Sequence, residues 1–185
     1  MTDTIALMEK EHENISELVR IYRAACCSIL EGSAVNTADF RDMIYFARNY
    51  ADHHHHGKEE KILFREMSAR LGHVAENLIR HGMLVEHDMG RFHTAELEKA
   101  LDRYDTAPAS ADLLEILAHA AGWADLLERH ISKENEVVYT YAERALPADV
   151  MENIQKEIDS FEAAEKSTAE QSLLLLRALS RKYPA

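Results

Sequence analysis

Helix-breaking residues are so sparse in this chain that their positions dictate the architecture. Six glycines and three prolines are spread over 185 residues. Runs of β-branched residues are scarce, so the chain reads as almost entirely helical. Apolar residues recur at three- and four-residue steps in Ile15, Leu18, Val19, Tyr22, Cys26 and Leu30, the mark of a helix with one buried face. A first helix is expected from about Thr4 to Glu31, with Gly32 ending it. Asn36 and Thr37 offer caps for a second, which reaches about Leu71 before Gly72 stops it. A third, from about Val74 to Tyr104, precedes the loop "DTAPAS". Ser110 is placed to cap a fourth that continues to about Ala145, and Pro147 sits where a fifth begins. Four long helices with short connections predict an all-α fold, an up-down-up-down four-helix bundle over residues 1–146. The fifth helix, within 147–185, runs from a polar half into the apolar "SLLLLRAL". It either flanks the bundle or joins copies into a homo-oligomer, and the sequence does not choose.

Composition narrows the function. A net charge of -12 argues against a nucleic-acid partner, whose binders carry a basic face, and against an anionic membrane surface. No apolar run is long enough to span a bilayer, and "MTDTIALMEKEHENI" lacks the layout of a secretory leader. The two cysteines, Cys26 and Cys27, are adjacent and read as buried thiols, consistent with a reducing cytoplasm. Eleven histidines and many glutamates are left to explain. Four of the histidines form "HHHH" at 53–56, inside a helical pattern rather than at a terminus, which disfavours a purification tag.

A weak internal repeat decides among them. "EHE" at 11–13 recurs as "EHD" at 86–88, an offset of 75. "HHGKEEKILF" at 55–64 recurs at the same offset as "HISKENEVVY" at 130–139. His12 thus pairs with His87, His55 with His130, Lys58 with Lys133 and Glu59 with Glu134, as two copies of a helical hairpin would. Carrying the register back selects His55 and Glu59 from the histidine run. His53, His54 and His56 have no counterpart, and the pair His56/Glu60 maps to Ile131/Asn135. Residues four apart on a helix stand one turn above each other, with β-carbons about 5–6 Å apart. An imidazole and a carboxylate at that spacing can grip one metal ion or two neighbouring ones.

Each hairpin therefore offers a histidine from its first helix and an HxxxE pair from its second. Together they give His12, His55, Glu59, His87, His130 and Glu134, a set able to hold two metals with the glutamates bridging them. Two histidines and a carboxylate per ion favour iron with open positions, while zinc and manganese remain compatible. No cysteine lies at ligand spacing, which disfavours a thiolate zinc site. A lone histidine or a single HxxxE pair is more often a surface or core feature than a ligand. Two pairs in register, each with a matched upstream histidine, reverse that balance. Apolar Ile15, Ile62, Leu63, Val137 and Val138 fall near the set, where unpaired carboxylates would be costly without a cation.

These motifs, "EHENI", "HHGKEEKILF", "EHDMGR" and "HISKENEVVY", resemble the hemerythrin-like HHE cation-binding domain over about residues 5–145. The resemblance implies a four-helix bundle with a non-haem di-iron centre, bridged by carboxylates and a solvent oxygen. It implies binding or reduction of dioxygen, peroxide or nitric oxide, with iron or zinc sensing or storage by a non-enzymatic module as the alternative. Oxygen-carrying hemerythrins have a second histidine four residues after the one matching His87. Here that position is Arg91, which argues against reversible oxygen carriage and for an open position on that side. Arg91 is expected to pair on the surface with Asp88. A ferritin-like oxidase needs an ExxH in each half, and only "EKEH" at 9–12 supplies one. His119, eleven residues before His130, lies about 16 Å along the helix, too far to ligate, in the core or an access channel. Trp123 is expected in the core and His73, His81 and His93 on the surface. Gly82, Gly90 and Gly122 each cost a helix about 1 kcal/mol, as sites where helices could approach closely.

Overall fold

The computed structural model describes residues 2–184 and consists of five helical rods without strands among them. They are α1 (Asp3–Leu30), α2 (residues 37–70), α3 (72–106), α4 (110–145) and α5 (Ala148–Lys182). The breaks fall where the sequence places them. Gly32 and Gly72 adopt φ of 102° and 72°, a left-handed conformation that costs glycine nothing and ends α1 and α2. Asn36 caps α2 by accepting from the Asp39 amide at 3.2 Å, worth about 1 kcal/mol. Ser110 does not cap α4. It is the first helical residue, and Ala109 before it makes no side-chain cap.

The α1 helix packs on α2 and α4, and α3 packs on the same two, closing a ring of four. The fifth helix lies across α1 and α2. It buries Val150, Met151, Ile154, Ile158, Leu176 and Leu179, so its apolar stripe is used within the chain. Each such side chain stabilises the fold by about 1.5–3 kcal/mol.

The core is not continuous. One apolar cluster holds Ile15, Tyr22, Phe46, Ala51, Leu97 and Leu127. The other holds Met8, Ile62, Phe64, Met83, Val138 and Ile158. On α1 they are separated by His12, on α2 by His55 and Glu59, on α3 by His87, and on α4 by His130 and Glu134. A buried polar layer thus crosses the middle of the bundle.

Two sequence expectations about packing fail. Cys26 is buried but Cys27 is exposed, because adjacent helical positions point about 100° apart. Val137 is 51% exposed while Val138 is buried, for the same reason.

Candidate metal centre

The local helix geometry around the layer is wider than an α-helix. Residues Ala47–His56, Glu59–Leu63 and Glu134–Val138 form i→i+5 turns, a geometry often found at functional sites. The last two segments match at the offset of 75, so the repeat extends to the backbone.

All six sequence-selected residues meet in the layer. His12, His55, Glu59 and Glu134 form one group whose ligand atoms are mutually within 4.8 Å, and His56, Glu59, His87 and His130 form a second. None of the seven is more than 5% exposed. His56 is the residue that the repeat missed. It stacks on His87 with centroids 3.8 Å apart and planes 6° from parallel. Its counterpart by register is Ile131, so the repeat carries no signal for it, whereas the wide turn swings it inward beside His55.

Both carboxylates reach both groups. Glu134 Oε2 lies 3.2 Å from His12 Nε2, and its Oε1 lies 3.2 Å from His130 Nε2 and 3.6 Å from His87 Nε2. Glu59 Oε2 is 3.7 Å from His55 Nε2 and 3.5 Å from His87 Nε2. The Tyr139 hydroxyl donates to Glu59 Oε1 at 2.6 Å and stands 3.4 Å from His12 Nε2. Its counterpart Phe64 keeps the ring and lacks the hydroxyl.

The tautomers follow from the outer partners. Nδ1–H of His55 donates to Glu11 at 2.8 Å, that of His87 to Glu60 at 2.7 Å, and that of His130 to Glu86 at 2.9 Å. His12 Nδ1–H donates to Asn135 Oδ1 at 2.7 Å. Carboxylate and amide oxygens only accept, so each neutral ring turns a lone pair inward from Nε2. The inward nitrogens face each other at 2.8 Å between His12 and His55 and at 3.1 Å between His87 and His130. Lone pairs that close repel unless a proton or a metal ion lies between them. Glu59 Oε2, both Glu134 oxygens and both His56 nitrogens are buried without a hydrogen-bond partner. Such groups are costly unless something compensates them.

Charge bookkeeping within the layer points the same way. Glu11 pairs with Lys58, Glu86 with Lys133 and Glu60 with Arg91. No lysine or arginine pairs with Glu59 or Glu134 among the described residues. The two carboxylates that neither a lysine nor an arginine meets are those at the centre, and imidazoles face them instead. Burial and the neighbouring Glu134 push Glu59 well above the carboxylate range in the absence of a metal. Burial pushes His55 down to about 4, helped by His12. At His130, burial is outweighed by Glu134 and Glu86, which raise it to about 10. The donor set, two shared carboxylates and inward imidazoles held by acceptors on their far side, fits divalent metal.

A cavity of about 90 Å³ abuts His56 and His87 and is walled by Ala51, Thr94, Trp123 and Leu127. Arg91 also borders it and is more than a surface partner of Asp88. Besides that contact at 2.9 Å, its guanidinium donates to Asp52 at 2.9 Å and Glu60 at 2.7 Å. Trp123 is buried as expected. His119 is paired away from the cavity, its Nδ1 3.1 Å from that of His93 and its Nε2 3.2 Å from Glu115. His93 is therefore half-buried rather than a free surface residue. A Cβ on Gly122 would come within 2.5 Å of the His93 ring, so this glycine admits a side chain rather than a neighbouring backbone. Gly82 has open space around it.

In comparisons with known proteins, residues 3–142 match the family model described as the Hemerythrin HHE cation binding domain. No curated protein and no solved structure matches the chain.

Proposed function

This chain belongs to the hemerythrin HHE cation-binding domain family, and on that premise we propose that its polar layer holds two iron ions serving a small oxidant or diatomic ligand. The ligand class is dioxygen, peroxide or nitric oxide. His12 and His55 would hold one ion, His56, His87 and His130 the other, with Glu59 and Glu134 shared. The observation that carries the reading is the convergence of five imidazoles on two buried carboxylates that no lysine or arginine meets among the described residues.

Iron bound there supplies redox chemistry and exchangeable coordination positions. The chain's own residues shape what can use them. The apolar clusters on either side exclude bulk water, which strengthens every electrostatic contact in the layer. The cavity of about 90 Å³ beside His56 and His87 would admit a diatomic or peroxide to the layer from that side, and it is small for an organic substrate. Position 91 contributes no nitrogen, but His56 supplies one on the same side, so the nitrogen deficit falls to the His12/His55 side. On that side stands the Tyr139 hydroxyl, whose proton is given to Glu59 Oε1. The argument from Arg91 against reversible oxygen carriage loses its force for the same reason.

The test begins with metal quantification on protein purified without a tag, followed by absorption spectra before and after reduction. Two irons per chain and a spectrum that responds to dioxygen, peroxide or nitric oxide support the proposal. A long-lived adduct that releases oxygen under vacuum indicates carriage, and rapid conversion to a stable oxidised form indicates reduction. Bound metal that responds to none of these reagents supports the alternative, a metal-sensing or storage module.

A further inference from the structure

We propose that Glu162 on α5 is a positioning residue for the metal centre, acting through Lys58 and Glu11 on His55; this rests on the metal-centre reading above. Lys58 is wholly buried at 0% exposure, unusual for a lysine unless it is paired. Its Nζ meets Glu11 Oε1 and Glu162 Oε1 and lies 3.1 Å from His54 Nε2. The other Glu11 oxygen, Oε2, accepts from His55 Nδ1. A continuous chain of contacts therefore runs from the fifth helix to an imidazole that faces the layer.

The second half of the bundle serves as an internal control. Lys133, Glu86 and His130 repeat the same three partners at the same offset. Lys133 is 49% exposed, and no acidic side chain of α5 meets it among the described residues. Glu162 falls between the buried Ile158 and Ala169 of α5, level with the polar layer, and lies beyond the residues that match the family. His54, Glu11 and Glu162 could by themselves hold a metal ion. The Lys58 ammonium is already the cation among them.

The effect on the centre follows from hydrogen-bond polarity. An acceptor on Nδ1–H makes the opposite nitrogen of an imidazole a stronger donor. Lys58 weakens Glu11 as that acceptor by competing for its charge, and Glu162 relieves this by taking a share of the ammonium. Lys58 and Glu11 are buried and Glu162 is about one-third exposed, so the Lys58–Glu11 end of the chain is the less screened one. The His12/His55 half is thereby tuned by α5, while the other half is tuned by solvent.

The experiment compares Glu162→Gln with Glu165→Gln in the full iron-loaded chain. Glu165 is on the same helix and carries the same charge, but it pairs with the exposed His53 at 3.3 Å. We expect Glu162→Gln to raise the midpoint potential by about tenfold in the redox equilibrium, ~59 mV for a one-electron couple. It should also speed metal loss to a chelator several-fold, and Glu165→Gln should do neither. Glu162→Asp keeps the charge with a shorter reach and should give an intermediate shift, which also serves if the glutamine variant does not fold. A Glu162→Gln variant that melts earlier but has the potential of Glu165→Gln overturns the inference, leaving Glu162 a structural role. Wild-type protein that holds no metal overturns this inference together with the metal-centre reading; metal bound with no shift overturns this inference alone.

Discussion

The His56→Ile variant separates a ligand from a packed histidine by the sign of its effect. Isoleucine is close to histidine in size and stands at the matching position 131 in the other half. Both His56 nitrogens are buried, with no hydrogen-bond partner at Nε2 and only Asp52, 3.4 Å away, near Nδ1. Replacing an unsatisfied buried polar group by an apolar one of similar size recovers about 1–3 kcal/mol. At about 2–4 °C per kcal/mol for a chain of this size, metal-free His56→Ile should melt roughly 2–12 °C above metal-free wild type. Loading with metal should reverse the comparison. Loss of one nitrogen should weaken binding at least about tenfold, or ~1.4 kcal/mol. The rise in melting temperature on adding metal should then be smaller by roughly 3–6 °C or more. Differential scanning calorimetry with and without metal reads both numbers. A metal-free variant that melts below wild type, with the metal-induced rise unchanged, would refute the assignment of His56.

Further outcomes follow from the same layer. His55→Ala and His130→Ala should each lose metal by elemental analysis, while His53→Ala and His54→Ala retain nearly all of it, because neither ring turns a nitrogen to the central carboxylates. Stripping the metal should lower the melting temperature by roughly 5–11 °C if metal is present at about 100 times its Kd, a linkage of ~2.7 kcal/mol; coincident holo and apo curves would count against a buried site. The metal-free protein should lose stability as pH falls from 6.5 toward 4, because burial holds His55 down at about 4 and also holds His56 well below its usual value, so unfolding takes up protons. Glu59 opposes this, because its raised carboxyl keeps a proton in the native state that the unfolded chain releases. His130 adds no slope below 6.5, its contribution being lost only as pH rises through about 10. Chemical denaturation across that range, on protein freed of metal, gives the slope and its sign.

Much of the centre was legible because two copies of one hairpin constrain each other. The offset of 75 selected His55 from four neighbours and brought in Glu59 and Glu134 with it. The outer partners were also visible, since Glu11 matches Glu86 and Glu60 matches Asn135, but one sequence does not say that Nδ1 points to them. His56 was illegible for a geometric reason. The register was read with α-helical turns of about 100° per residue, whereas Ala47–His56 is wound more loosely, so consecutive histidines stay closer to one face. Glu162 was hidden for another reason. Its place in the layer depends on how α5 is rotated against α1 and α2, which its own pattern of apolar residues does not specify.

The matched halves have a consequence for what this centre can become. In a dimer of identical hairpins, symmetry installs every side chain twice, and the two ions must have the same surroundings. Two hairpins joined in one chain escape that constraint. Tyr139 can carry a hydroxyl where Phe64 has none, and position 56 can be histidine where position 131 is isoleucine. On the two-ion reading proposed above, the ions could then divide the labour, one saturated by its ligands and the other free to exchange them. A polarised pair of this kind is closed to a symmetric dimer of one hairpin.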